Sequence, residues 1–193
     1  MIVYDCEIVK GILGKDEKPR EGIEYCEGWR DFPNMGLSCI GAFDYVTRQY
    51  RVFCQDNFYA FQELADTADI VVGFNSIGFD NKLCAANDIY ISDSKSYDIL
   101  VEVWKGAGLG PLFEYPSHIG FGLDAICEAN LGLKKSGHGA LAPVLWQQGK
   151  IGEVIDYCLN DVRMTVNLLN FIIAGGRIRD PRDIKNLLTI KRP

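Results

Sequence analysis

Two acids two residues apart, Asp5 and Glu7, sit inside an apolar, β-branched run, Ile2-Val3-Tyr4-Asp5-Cys6-Glu7-Ile8. The run reads as a strand, and strand side chains alternate faces, so both carboxylates point the same way. Neighbouring acids repel and lose hydration when buried; the pair fits either a divalent cation held between them or a strand end open to water. Asp80 closes a polar turn, Asn75-Ser76-Ile77-Gly78-Phe79-Asp80, which is predicted to open a helix through Asn87. In a first helical turn a negative charge is favoured by unpaired backbone N–H groups, so Asp80 is either a cap or a ligand. Tyr157 and Asp161, four residues apart in the longest periodic segment, share one face of a predicted helix over 151–174. A tyrosine over a surface acid and a pair of site residues both have that spacing.

The elements that must position these groups follow from periodicity and turn residues. Residues 10–36 are charged and punctuated by Gly11, Gly14, Pro19, Gly22, Gly28, Pro33 and Gly36, predicting a long irregular connection, either a functional lid or an ornamental insertion. Residues 37–45 and 49–54 read as an antiparallel hairpin, and 58–68 as a helix with Phe61, Leu64, Ala65 and Ala68 on one face. Asp69-Ile70-Val71-Val72-Gly73-Phe74 is nearly all apolar, as expected of a central strand buried on both faces. A short strand near 96–99 leads into a helix through Trp104. Residues 106–122, rich in Gly and Pro with interleaved rings, form a loop that either presents those rings to a ligand or covers the core. A helix over 123–131 closed by Gly132, a basic loop containing His138, and a short helix over 140–148 complete the order. There are no internal repeats.

The chain has 193 residues, 48% of them hydrophobic, enough for one domain with its own core. No run approaches the roughly 18 apolar residues of a membrane span, and the N-terminus lacks signal-peptide order; a soluble, cytoplasmic protein without membrane contact is expected. The seven cysteines, 6, 26, 39, 54, 84, 127 and 158, are odd in number and form no CxxC, which fits reduced core residues and not a zinc or disulfide frame. A net charge of -6 argues against gripping nucleic acid by bulk electrostatics. A site built from carboxylates is acidic by construction, however, and bound cations reverse the field a phosphate meets. Residues 177–193 carry six cations against two acids, so the remainder bears ten net negative charges.

In this order, Asp5-x-Glu7 on a first strand, Asn75-x3-Phe79-Asp80 after a fourth and Tyr157-x3-Asp161 on a late helix resemble the three exonuclease motifs of the DEDD superfamily, in its DEDDy branch. Each motif is weak alone; three in order with these spacings are specific. The resemblance spans positions 5–161 and implies an α/β, ribonuclease H-like fold. That means a mixed five-stranded sheet with an antiparallel second strand, flanked by helices, over residues 1–176, followed by a basic C-terminal tail, 177–193. Ile8 stands where family members often have a small hydroxyl residue, and the insertion after the first strand is long. Asp156 occupies the position of the sister branch's histidine, and the two histidines, His118 and His138, lie on other segments.

The resemblance implies a 3′–5′ exonuclease that hydrolyses nucleic acid, DNA favoured, from the 3′ end by two-metal-ion catalysis, releasing nucleoside monophosphates. Asp5, Glu7, Asp80 and Asp161 would hold two Mg²⁺ or Mn²⁺ ions, oxygen ligands suiting such hard cations. Tyr157 would orient the attacking water, since a tyrosine with an ordinary pKa of about 10 is a poor base at neutral pH. Asn75, Phe79 and Ile8 would contact substrate, and core packing is expected of Phe74. The implied partner is a single-stranded or frayed 3′ end, leaving room for a replication or repair partner; oligomeric state is open. The alternatives are a ribonuclease or endonuclease on the same fold, or a catalytically silent nucleic-acid-binding or accessory domain. A binding role alone would not need all five residues Asp5, Glu7, Asp80, Tyr157 and Asp161.

Overall fold

The N-terminal apolar run forms strand β1 (Ile2–Ile8) in the computed structural model of the chain, which describes residues 1–134 and 139–193. Two short strands, β2 (Gly11–Ile12) and β3 (Tyr25–Cys26), and one helical turn, α1 (Phe32–Met35), follow in the segment expected to be irregular. That segment is fastened from afar: the Gln147 side-chain amide donates to the carbonyls of Val9 and Glu24, at 2.9 and 3.1 Å, and accepts from the Glu24 N–H at 2.7 Å. The expected hairpin is β4 (Leu37–Asp44) and β5 (Gln49–Phe53), and the amphipathic segment after it is α2 (Phe58–Thr67). Strand β6 (Val71–Gly73) is short and wholly buried. After the expected turn, in which Asn75 adopts φ 64°, the helix expected through Asn87 is α3 (Asp80–Ala85); it stops two residues early, ahead of Asp88 at φ 62°.

Strand β7 (Ser96–Asp98) runs into α4 (Ile99–Gly106); α5 (Leu123–Leu131), α6 (Ala142–Gln147) and the 25-residue α7 (Ile151–Gly175) complete the helices. The main sheet is ordered β5-β4-β1-β6-β7. Strand β4 is antiparallel to β1 and to β5, whereas β6 is parallel to β1 and to β7. This is the expected ribonuclease H-like α/β sheet, mixed, five-stranded and with its second strand antiparallel. Strand β1 feeds two cores. Ile2, Tyr4, Cys6 and Ile8 pack with Phe61, Ala65, Leu83 and Cys84 from α2 and α3. Val3, on the opposite face, packs with apolar residues of α4, α5 and α7.

Residues 177–193, expected as a basic tail, instead fold as an antiparallel hairpin of β8 (Arg177–Asp180) and β9 (Asp183–Thr189). Ile178, Leu188 and Ile190 are buried in the same core as α4, α5 and α7. Uncovering three such side chains costs about 1.5–3 kcal/mol each, so deleting the segment would cost folding before it tested its charge. The hairpin turn also clamps the 106–122 loop. The Arg182 guanidinium lies 3.9 Å from the centre of the Phe121 ring and donates to the Ser117 carbonyl at 2.9 Å.

Helix α7 buries Val154, Cys158, Asp161, Val162, Thr165, Leu168 and Ile172, a stripe at helical spacing in which Asp161 is the only acid. Its approach to the sheet depends on Gly41, which pairs with Asp5 across β4 and β1. A Cβ at Gly41 would stand 3.0 Å from Cys158 Sγ and 3.2 Å from Val162 Cγ2. Gly41→Ala should therefore lift α7 and cost about 1–3 kcal/mol of stability, as overpacking does. Urea denaturation measures this; an unchanged midpoint would show that α7 is free to shift.

Candidate active site

Asp5 and Glu7 project from the end of β1 toward α7, Glu7 buried and Asp5 half-buried. A bulge in the β1–β4 pairing between Glu7 and Ile8 ends the regular register at this point, a common device beside sites. Helix α7 supplies Tyr157, half-buried, and Asp161, buried. Helix α3 supplies Asp80, buried, whose Oδ1 accepts from the Cys6 backbone N–H at 3.1 Å. The Tyr4 hydroxyl, donating to the Asn81 side chain, ties the same helix to β1. All five expected residues, Asp5, Glu7, Asp80, Tyr157 and Asp161, line one cavity of about 260 Å³.

Ile8, Asn75 and Phe79, expected at the substrate, line this cavity too, as does Phe74, which also packs against the core. Asp156 is exposed and is not among the lining residues; one helical step turns it away from Tyr157. His118 is buried in the 106–122 loop, donating from Nε2 to the Gly110 carbonyl at 3.0 Å and accepting at Nδ1 from the Glu114 N–H at 3.2 Å. His138 lies outside the described residues.

Three participants escaped the sequence reading. Asp98 is buried, accepts from the N–H groups of Asn75 and Ile77, each at 2.9 Å, and caps α4 through the Leu100 N–H at 3.0 Å. It thereby holds the turn from which α3 and Asp80 start; an acid immediately before an apolar helical run was the available signal. Cys158 donates its thiol to the Asp5 carbonyl at 3.4 Å. Trp29, from the segment between β1 and β4, forms part of the cavity wall.

The donor set can hold a metal ion: ligand atoms of Asp5, Glu7 and Cys158 lie within 4.8 Å of one another. A hydrogen bond with Cys39, burial and the charge of Asp5 hold the Cys158 thiol well above its ordinary pKa, which favours its role as a donor and leaves the carboxylates as the hard oxygen ligands. Burial, reinforced by the charge of Asp98, pushes the Asp80 carboxyl up to about 7, against the N–H groups of Asp80 and Cys6. Asp98 is itself raised by burial, opposed by the backbone donors of Ile77 and Asn75.

No protein-family model and no curated protein matches the sequence. Among solved structures, the family B DNA polymerase from the hyperthermophilic archaeon Pyrobaculum calidifontis is similar over 89% of this chain, with a TM-score of 0.58 and 16% identity. The chain spans 24% of that polymerase's length, and at this identity the likeness shows the fold. Among the described residues no helix is long and apolar enough to cross a membrane.

The raised Asp80 carboxyl makes stability depend on pH and cation together. With its pKa moved from 3.8 to about 7, Asp80 contributes stability that is full below 3.8 and lost as pH rises through about 7. In chelator, the thermal midpoint should fall over this window, and Asp80→Asn should flatten the fall. Added Mn²⁺ should raise the midpoint more at pH 8 than at pH 5.5, since ion and proton compete for the carboxylates. Melts followed by circular dichroism test this; an identical pH slope in Asp80→Asn would remove the assignment.

Proposed function

We propose that the protein is a metal-dependent 3′–5′ exonuclease that hydrolyses phosphodiester bonds of nucleic acid, DNA favoured, and releases nucleoside monophosphates. The observation that carries this reading is the meeting of Asp5, Glu7, Asp80, Tyr157 and Asp161, from three separate elements, on one cavity. Asp5, Glu7, Asp80 and Asp161 would hold two Mg²⁺ or Mn²⁺ ions, which supply charge neutralisation at the phosphoryl oxygens and a more acidic attacking water. The strand fixes Asp5 and Glu7 on one face, and the buried helix stripe presents Asp161 opposite them. Tyr157 donates or accepts one hydrogen bond that aims the attacking water at phosphorus. Asn75 and Phe79 contact the terminal nucleotide, the ring of Phe79 by stacking, which tolerates any base. The fold shared with a DNA polymerase is consistent with a replication or repair setting.

The test is hydrolysis of end-labelled DNA and RNA, single- and double-stranded, with Mg²⁺ or Mn²⁺. A 5′-labelled strand should give a ladder of shortening products, a blocked 3′ end should protect it, and chelator should stop the reaction. Efficient cutting of circular single strands would make the enzyme an endonuclease, and full activity in excess chelator would end the metal-dependent reading. Tyr157→Phe should retain metal binding and lose about 10- to 1000-fold in rate, roughly 1.4–4 kcal/mol of transition-state stabilisation. Asp5→Ala should fall below detection, while Asp156→Asn should stay near wild type. A silent Tyr157→Phe beside a dead Asp156→Asn would reverse the two assignments.

A further inference from the structure

The C-terminal hairpin has one covered edge and one open edge. At Arg179 the outer side of β8 is covered by α5: the Arg179 N–H donates to the Asn130 side chain at 2.7 Å, and the Asn130 amide donates to the Arg179 carbonyl at 3.2 Å. Since these groups of Arg179 turn away from β9, Arg179 and Leu187 form a non-hydrogen-bonded pair of the ladder, in which both residues point their N–H and C=O groups outward. The Ile190 N–H, bonded to the Gly176 carbonyl at 2.9 Å, fixes the same alternation. Leu187 therefore presents a donor and an acceptor on the far side of β9, where the two-stranded sheet ends. The next outward N–H, of Lys185, is held by the Asp183 carboxylate at 3.2 Å. Helix α4 closes on this edge at Thr189, whose carbonyl oxygen would stand 2.8 Å from a Cβ at Gly106, whereas Asp183–Leu187 are exposed.

We propose that this edge of β9 receives an extended segment of a partner protein, a strand in which acidic residues alternate with apolar ones. Neither the carboxylate cavity nor the larger one beside it, about 1070 Å³ and sharing Trp29 with the first, is lined by a residue of β9. The proposal stands apart from the exonuclease reading.

A backbone edge accepts any strand, and the side chains around it choose. Leu188 and Ile184 share one face of β9 by alternation, yet Leu188 is buried in the core while Ile184 is 64% exposed. The core ends short of Ile184, and an apolar residue of an added strand would extend it. The opposite face carries Lys185 and Leu187, with Arg177 and Arg179 beside them on β8, all exposed. Of the hairpin's cations only Arg182 is in a salt bridge among the described residues, with Asp180. Acids on that face of the added strand would answer the others, since opposite charges on neighbouring strands are favourable. The same charges disfavour a second copy of this chain: two β9 edges together would oppose like cations, and lysine on an edge is a common guard against self-pairing. A polyanion without a peptide backbone would answer the cations and leave Ile184 and Leu187 uncovered.

Leu187→Pro is the discriminating variant. The Leu187 N–H points away from β8, so proline there removes no bond of the hairpin, whereas an added strand loses its donor. The probe is a fluorescein-labelled ten-residue peptide alternating valine and glutamate, capped at both ends and followed by anisotropy. It should bind saturably and slow hydrogen exchange at the Leu187 amide. Leu187→Pro should abolish saturable binding. Arg179→Glu/Lys185→Glu should weaken it about 10-fold at low ionic strength and less in concentrated salt, where exposed charges are screened. A peptide alternating valine and lysine should not bind. Circular dichroism verifies the fold of both variants; should the proline variant lose it, the charge-reversed one and the Leu187 exchange rate decide alone. Absence of saturable binding, or undiminished binding to a folded Leu187→Pro, overturns the proposal. So does displacement of the peptide by a ten-residue oligothymidylate, which would give the hairpin to nucleic acid. A concentration-dependent dimer in sedimentation that Leu187→Pro abolishes would also overturn it, giving the edge to a second copy.

Discussion

The bare backbone at Gly41 lets helix α7 lie against the sheet, and the meeting of acids follows from that contact. Cys158 and Val162 occupy the space a side chain would fill, and Tyr157 and Asp161 flank them on the helix. Asp161 thus arrives as the single carboxylate in an apolar stripe, opposite a strand that carries two more. Unit charges 4.8 Å apart, the limit of the spread between Asp5 and Glu7 ligand atoms, repel by about 3.5 kcal/mol at an effective dielectric near 20. A cation held between them would convert that repulsion into attraction.

Asp98 plays the corresponding part for Asp80. The turn between β6 and α3 has a residue at positive φ and backbone donors with no partner in any ladder; the Asp98 carboxylate takes two of them and a third from the start of α4. One buried acid therefore sets the position of another, and its charge also raises the second acid's pKa. Structural and chemical roles are inseparable here, because the low-dielectric setting that makes the hydrogen bonds of Asp98 strong carries its field to Asp80.

The segments with least regular structure are held by side chains far away in sequence. Gln147 secures residues 9–24, and Arg182 secures the loop bearing Ser117 and Phe121. The first lends Ile12 to the carboxylate cavity, and the second lends Phe113, His118 and Phe121 to the larger cavity beside it, which the C-terminal hairpin supports without lining. The hairpin's cations are exposed on alternate positions while Ile178 and Leu188 face the core, so it is at once a basic surface and part of the packing.

Local periodicity was enough to place Asp5 and Glu7 on one face of a strand, to put Tyr157 and Asp161 on one face of a helix, and to end α5 at Gly132. Side-chain direction in these elements repeats every 2 or about 3.6 residues and needs no distant partner. The five strands of the sheet were legible for the same reason, and its mixed pairing was implied by the resemblance of three spaced motifs; the order β5-β4-β1-β6-β7 came only with the structure. The burial of Asp98 beside Asp80, the thiol of Cys158 under Asp5, and Trp29 at the junction of two cavities were not, because each depends on a contact between residues distant in the chain. Residues 177–193 show the limit most plainly. Their alternation of charged and apolar residues was present in the sequence but outweighed by net charge, and only the core of α4, α5 and α7, waiting for Ile178, Leu188 and Ile190, decides that they form a hairpin. A sequence fixes which way a side chain points within its own element; what it meets there is decided by packing across the whole chain.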